Sequence, residues 1–233
     1  MTFGVVVFPG SNCDEDAVYA LKNILGQKVV KLWHKDSDFQ NVDFIILPGG
    51  FSYGDYLRSG AIAKFSPIMQ KIIDFANNGG FVLGICNGFQ ILCEANLLPG
   101  TLIRNQKHNF ICKNIYIKPQ HNLTIFTENT GEKGVFKIPI AHAEGCYYAE
   151  EHILQEIIDN KQIIFKYCNE NGEINKGSNP NGSLKNIAGI CNTNRNVFGM
   201  MPHPERACDP KLNNIDGKLI LEGAINMFRN MGK

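Results

Sequence analysis

Cys86 stands in Gly84-Ile-Cys-Asn-Gly88, a small-x-nucleophile-x-small pattern that suits a nucleophile elbow with sulfur in place of a hydroxyl. A sharp strand-to-helix turn leaves no room for side chains beside the nucleophile, which is what the glycines provide. At a helix start, partial positive charge and free amide hydrogens favour the ionised, nucleophilic form of a thiol. The backbone N–H of Asn87 would then face a developing oxyanion. Five residues alone also fit a packed core thiol; an expected strand before them and a helix after them favour the elbow.

A second oxyanion donor must come from a neighbouring loop, and Pro48-Gly49-Gly50-Phe-Ser-Tyr-Gly-Asp55 supplies backbone amides free of bulky side chains, Gly50 among them. An ordinary glycine turn would look the same. A cysteine nucleophile also needs a base and a group to orient it. His203 and Glu205 lie two apart between prolines and an arginine, so in extended backbone the imidazole and the carboxylate point to one side. His34, His108, His121 and His152 lie in polar surroundings and have no comparable partner. His142 and Glu144, in Ala141-His-Ala-Glu-Gly145, form another such pair. They suit recognition of a polar substrate and equally suit the end of a surface strand.

These residues need a frame, and the first hundred positions read as alternating strands and helices. Strands are expected at Gly4–Phe8, Gln27–Trp33, Val42–Leu47 and Phe81–Ile85. Helices are expected from Asp14 to Leu25, from Ser66-Pro67 through about Ala76, and over Asn87–Ala95. Apolar strands separated by helices imply an α/β, flavodoxin-like doubly wound, mainly parallel sheet with ligands beyond the strands' C-terminal ends. From Thr101 to about Ile190 a β-rich excursion follows, with strands at Ile111–Ile117, Val135–His142 and Gln162–Cys168, a helix at Glu150–Asp159 and a turn at Asn171-Gly172. Ile187–Cys191, Val197–Met201 and a helix from about Asp216 to Arg229 close the chain. No internal repeat or linker interrupts it, so residues 1–233 are expected to form one domain.

Composition removes other classes. A chain of 233 residues with 44% apolar and 19% charged residues supports a substantial core and is neither disordered nor fibrous. With 23 basic against 22 acidic residues and no basic stripe, nucleic acid is not an expected partner. No apolar run approaches the ~20 residues needed to span a bilayer, and the start of the chain is unlike a signal peptide, so a cytoplasmic setting without membrane contact is expected. The eight cysteines are then expected to be reduced. They lack the paired spacing of a zinc site, and no metal is expected. Neither GxxxxGK[ST] nor GxGxxG occurs.

In their order, the Pro48-Gly-Gly loop, Gly84-x-Cys86-x-Gly88-x-Gln90 and His203-Pro-Glu205 resemble the class I (triad) glutamine amidotransferase family. Phe8-Pro-Gly-Ser-Asn-Cys-Asp14, Pro48 to Asp55, Ala141 to Gly145, Asn179-Pro-Asn-Gly-Ser183, Ile187-Ala-Gly-Ile190 and Met201-Pro-His-Pro-Glu-Arg206 extend the resemblance over nearly the whole chain, to the glutaminase subunits of purine biosynthesis. The resemblance implies that Cys86 is the nucleophile, His203 the acid/base and Glu205 its orienter, with Gly50 and Asn87 forming the oxyanion hole. It further implies that Gln90, His142, Glu144 and Gly145 line the glutamine site. No cofactor is implied in this chain; ATP and magnesium belong to a larger synthetase subunit, which takes the ammonia to make formylglycinamidine ribonucleotide. A small third subunit is left open. The alternatives are a stand-alone cysteine hydrolase of γ-glutamyl compounds and a non-catalytic binding module.

Overall fold

Unbroken apolar runs become strands covered on both faces. In the computed structural model, which describes residues 1–39, 41–121, 123–127 and 134–231, β1 (Thr2–Val7), β3 (Phe44–Leu47), β4 (Phe81–Ile85) and β11 (Val197–Met200) are buried almost throughout. With β2 (Lys28–Trp33) they form the parallel half of a nine-stranded sheet. Its order is β2-β1-β3-β4-β11-β10-β9-β6-β7, where β6 is Ile111–Pro119, β7 Phe136–His142, β9 Ile163–Cys168 and β10 Ile187–Cys191. From β10 outward every pairing is antiparallel. The β-rich excursion therefore continues the main sheet, and buried residues from both halves join one core cluster.

Helices α1 (Asp14–Tyr19), α2 (Pro67–Asn77), α3 (Asn87–Glu94), α4 (Glu151–Asp159) and α5 (Asp216–Met231) lie near the sequence expectations. The first differs: beyond Tyr19 the chain widens into a π-turn, with Leu25 N–H donating to Ala20 O at 3.0 Å, and the left-handed Gly26 ends it. Ser66 precedes α2 as expected but makes no side-chain cap. Its hydroxyl instead meets that of Tyr53 at 2.9 Å. A two-stranded ribbon, β5 (Thr101–Ile103) with β8 (Cys146–Tyr148), was not legible, because three-residue strands show no periodicity.

Cys86 is positioned by how closely α3 meets the sheet. A Cβ on Gly88 would lie 2.0 Å from the carbonyl oxygen of Leu47, and one on Gly84 would lie 2.5 Å from the backbone of Gly88. Only glycine permits this approach. Gly88→Ala must push α3 off β3, an overpacking cost of roughly 1–3 kcal/mol. At about 2–4 °C per kcal/mol for a chain of this size, calorimetry is expected to show a clear fall in Tm. An unchanged Tm would mean that the helix backs away freely.

Candidate active site

Cys86 sits between β4 and α3 with φ 51° and ψ −104°, a backbone conformation unusual for a residue with a Cβ. Its N–H donates to Met200 O at 2.8 Å, tying the turn to β11, while its carbonyl accepts the N–H groups of Phe89 and Gln90. The side chain is nearly buried, with Sγ 3.7 Å from the carbonyl oxygen of Ala141. All eight cysteines are free thiols. Burial pushes Cys13 up to about 12 and Cys168 and Cys191 up to about 11, and it also raises Cys93, Cys146 and Cys208. These six are held protonated at neutral pH.

His203 follows β11, its N–H bonded to Pro139 O on β7 at 2.9 Å. Its Nδ1 lies 2.6 Å from Glu205 Oε1, and each side chain is only 1% exposed. The extended geometry expected from the sequence is absent here. Pro204, whose ring fixes φ near the helical value, opens a 3-10 turn over Pro204–Ala207, and that turn swings the carboxylate back onto the imidazole. Burial pushes the imidazole pKa down, but the Glu205 carboxylate and then Cys86 more than offset this and hold it well above the usual histidine range. Nε2 has no hydrogen-bond partner among the described residues. A Cβ on Gly49 would lie 2.7 Å from His203 Cε1 and 3.3 Å from Cys86 Cβ, so a bare glycine occupies the slot between His203 and Cys86.

The loop after β3 forms the facing wall. Gly50 has φ 126°, and a Cβ there would come within 2.6 Å of Asn12 N, so this position too requires glycine. A 3-10 turn at Ser52–Asp55 follows, carrying Tyr53 and Gly54 in left-handed conformations. Asn87 locks it to the elbow: its Oδ1 accepts Ser52 N–H at 3.1 Å, and its Nδ2 donates to Asp55 Oδ1 and Gln90 Oε1. Gln90 Nε2 in turn donates to Glu144 O at 2.6 Å. His34, expected from the sequence in polar surroundings without a carboxylate partner like that of His203, is buried behind the loop with Nδ1 2.6 Å from the Tyr53 hydroxyl.

These walls enclose a cavity of about 110 Å³ lined by Gly50, Asp55, Ser59, Cys86, Gln90, His142 and Glu144, among others. Sites for drug-sized ligands run to roughly 300–1,000 Å³, so this one suits a single amino acid. Gly145 lies off the cavity wall: its N–H donates to Asn105 Oδ1 and its carbonyl accepts Asn181 Nδ2. Asn105 also meets His142 Nδ1 at 3.1 Å, and burial, followed by the nearby His203, pushes that imidazole down to about 4. Sequence reasoning missed Asp55, Ser59, Asn105 and Asn181. Asp55 closes the quoted glycine loop and Asn181 lies within the quoted Asn179–Ser183 stretch, whereas Asn105 carried no signal. Among the described residues, no group of three or more His, Cys, Asp or Glu side chains could hold a metal ion.

The family described as CobB/CobQ-like glutamine amidotransferase domain matches residues 2–233. A protein of Acaryochloris marina named phosphoribosylformylglycinamidine synthase subunit PurQ is 51% identical over 232 residues, covering 100% of this chain and 99% of its own. Its counterpart in Moorella thermoacetica is 55% identical over 228 residues, with 98% and 97% covered. Among solved structures, that of PurLQS from Thermotoga maritima includes a chain 40% identical to this one, with TM-score 0.85, covering 97% and 98%. A glutamine amidotransferase from the same organism, with TM-score 0.56 over 96% and 90%, is 16% identical and shares the fold.

The His203–Glu205 pair makes a titration measurable. A histidine raised above its unfolded value contributes stability that is full below about 6.5 and is lost as pH rises through the folded value. Glu205→Gln removes the largest upward influence and leaves burial to act. NMR titration is expected to show the His203 ring losing its proton at a markedly lower pH. An unmoved titration would detach Glu205 from the imidazole.

Proposed function

The chain belongs to the CobB/CobQ-like glutamine amidotransferase domain family, and from that membership and its full-length relatives we infer that it is the glutaminase subunit of a phosphoribosylformylglycinamidine synthase. It hydrolyses glutamine and passes the ammonia to a larger synthetase subunit. There formylglycinamide ribonucleotide becomes formylglycinamidine ribonucleotide at the expense of ATP, in purine biosynthesis. We read residues 1–233 as a single amidotransferase domain needing no cofactor of its own, with ATP and magnesium handled by the partner. A small third subunit is a further member for co-purification to test. No helix among the described residues is long and apolar enough to cross a membrane; work in the cytoplasm is part of the proposal.

The observation that carries the chemistry is the buried His203–Glu205 pair set across Gly49 from Cys86, at one end of a cavity sized for an amino acid. In this reading the Cys86 sulfur attacks the side-chain amide carbon of glutamine. The tetrahedral oxygen takes its negative charge against the N–H groups of Gly50 and Asn87. His203 gives a proton to the departing nitrogen, releasing ammonia and leaving a γ-glutamyl thioester. It then takes a proton from water, whose oxygen attacks the thioester and frees glutamate and the thiolate. Glu205 holds the imidazole with Nε2 toward the reacting atoms. Gln90 and Glu144 shape the wall of the cavity, with His142 as a neutral imidazole and Gly145 supporting it from behind.

A glutamine-like chloroketone is expected to label Cys86 ahead of every other thiol, because six of the others are held protonated by burial and Cys112 is not among the residues that line the cavity. Peptide mapping that found mainly Cys13 or Cys146 would sink the assignment. His203→Ala is expected to abolish turnover, and Glu205→Gln to lower it by up to about 10⁴-fold. Glutamate release, measured on the chain alone, with the synthetase, and with the synthetase plus formylglycinamide ribonucleotide and ATP, is expected to be low and then to rise. Full activity alone, or preference for γ-glutamyl peptides, would overturn the proposal.

A further inference from the structure

Part of the cavity wall is furnished differently from the Cys86 thiol. Asp55 and Glu144 both line it, half-buried, and the Glu144 carboxylate adds to the cost of ionising Asp55. Asp55 makes no ion pair among the described residues; its polar neighbours are the neutral Asn87 and Ser59. Glu144 Oε2 accepts the Ser59 hydroxyl at 2.8 Å, and its other oxygen lies 3.6 Å from the Nε of Arg104, a side chain 75% exposed. Arg58, the other arginine nearby, is spent on Glu94.

His142 supplies an independent observation. Asn105 Oδ1 already accepts the Gly145 N–H, and as an acceptor it must also take a proton from His142 Nδ1. The other ring nitrogen, Nε2, is therefore a lone-pair acceptor. It is buried with no partner, on a residue 4% exposed that lines the same cavity. The side-chain donors nearby are already committed, Gln90 Nε2 to Glu144 O and Ser59 Oγ to Glu144 Oε2. What this wall offers a ligand is negative charge and lone pairs. Such a wall is completed by a small cation rich in N–H groups.

Resting on the glutaminase reading above, we propose that Asp55, with Glu144, is the specificity determinant that reads the α-ammonium group of glutamine. The site then selects the free amino acid, since acylating or deleting that amine leaves the two carboxylates unanswered. Its pH response follows. Burial, with Glu144 adding to it, pushes Asp55 up to about 6, so the charge that holds the ammonium is present above that value and lost below it. Of the groups facing Asp55 or its partner Glu144, His142 is neutral throughout this range and Arg104 stays charged, so neither reverses the sign.

The experiment compares glutamine with glutaramate, which is glutamine lacking its α-amine, on the full complex with its synthetase. Asp55→Asn is expected to reduce the kcat/KM preference for glutamine over glutaramate by roughly 10- to 100-fold, the range for a hydrogen bond to a charged group, and to act mainly through KM. A preference ratio equal to that of the wild type, whatever the absolute rates, overturns the proposal and leaves Asp55 a structural residue. The wild type tests it without any substitution: KM for glutamine is expected to rise as pH falls through about 6 while KM for glutaramate stays level. Parallel pH profiles for the two substrates overturn it. A wild-type complex that released no glutamate from glutamine would instead overturn the glutaminase reading itself, and this proposal with it.

Discussion

A cysteine held at φ 51° and ψ −104° is the constraint on which the rest of the site depends. Such a backbone costs of order 1–3 kcal/mol and persists only where its surroundings over-determine it. Here they do. Met200 O holds the Cys86 N–H, the two flanking glycines let α3 seat directly against β3, and the N–H of Met201 is fixed in turn by Ala188 O. Relaxing Cys86 would rotate its sulfur away from the slot at Gly49 and take the first turn of α3 with it. The strain is therefore what aims both the Cys86 thiol and the amide beside it.

From that turn a single amide side chain distributes the geometry. Asn87 joins the elbow to the Ser52–Asp55 turn and to Gln90, which passes the connection on to Glu144 on the antiparallel side of the sheet. The left-handed Tyr53 is secured from behind by His34 and Ser66. Asn105 and Asn181 do the same for the segment that carries His142 and Glu144. Few of these residues line the cavity, yet each removes a degree of freedom from one that does. That is how a small cavity built from three separated segments stays defined.

Much of this was legible in the sequence where a local pattern carries the information. The buried parallel strands announce themselves as unbroken apolar runs, and Phe81–Ile85 falls where expected because a strand, an elbow and a helix follow without intervening residues. Pairings between distant segments leave no such mark. That β6, β7, β9 and β10 would extend the main sheet depends on contacts between residues tens of positions apart, as between Tyr116 and Cys168. The approach of Glu205 to His203 was anticipated for the wrong backbone, because Pro204 favours a tight turn as readily as extension. Asp55 escaped notice because its importance comes from facing Glu144 across space, which no spacing along the chain encodes.

The strand order carries a consequence for how the molecule is made. β11 lies between β4 and β10, yet it is the last strand to leave the ribosome, more than a hundred residues after β4. At about 5–20 residues per second, the flat apolar flank of Phe81–Ile85 waits on the order of ten seconds for its neighbour. During that interval the nascent chain carries an unpaired sheet edge of the kind that invites association with other chains. The Cys86 thiol already lies at its end, while His203 has not yet been synthesised. Closure of the sheet by β11 covers that edge and brings His203 beside Cys86 in one event.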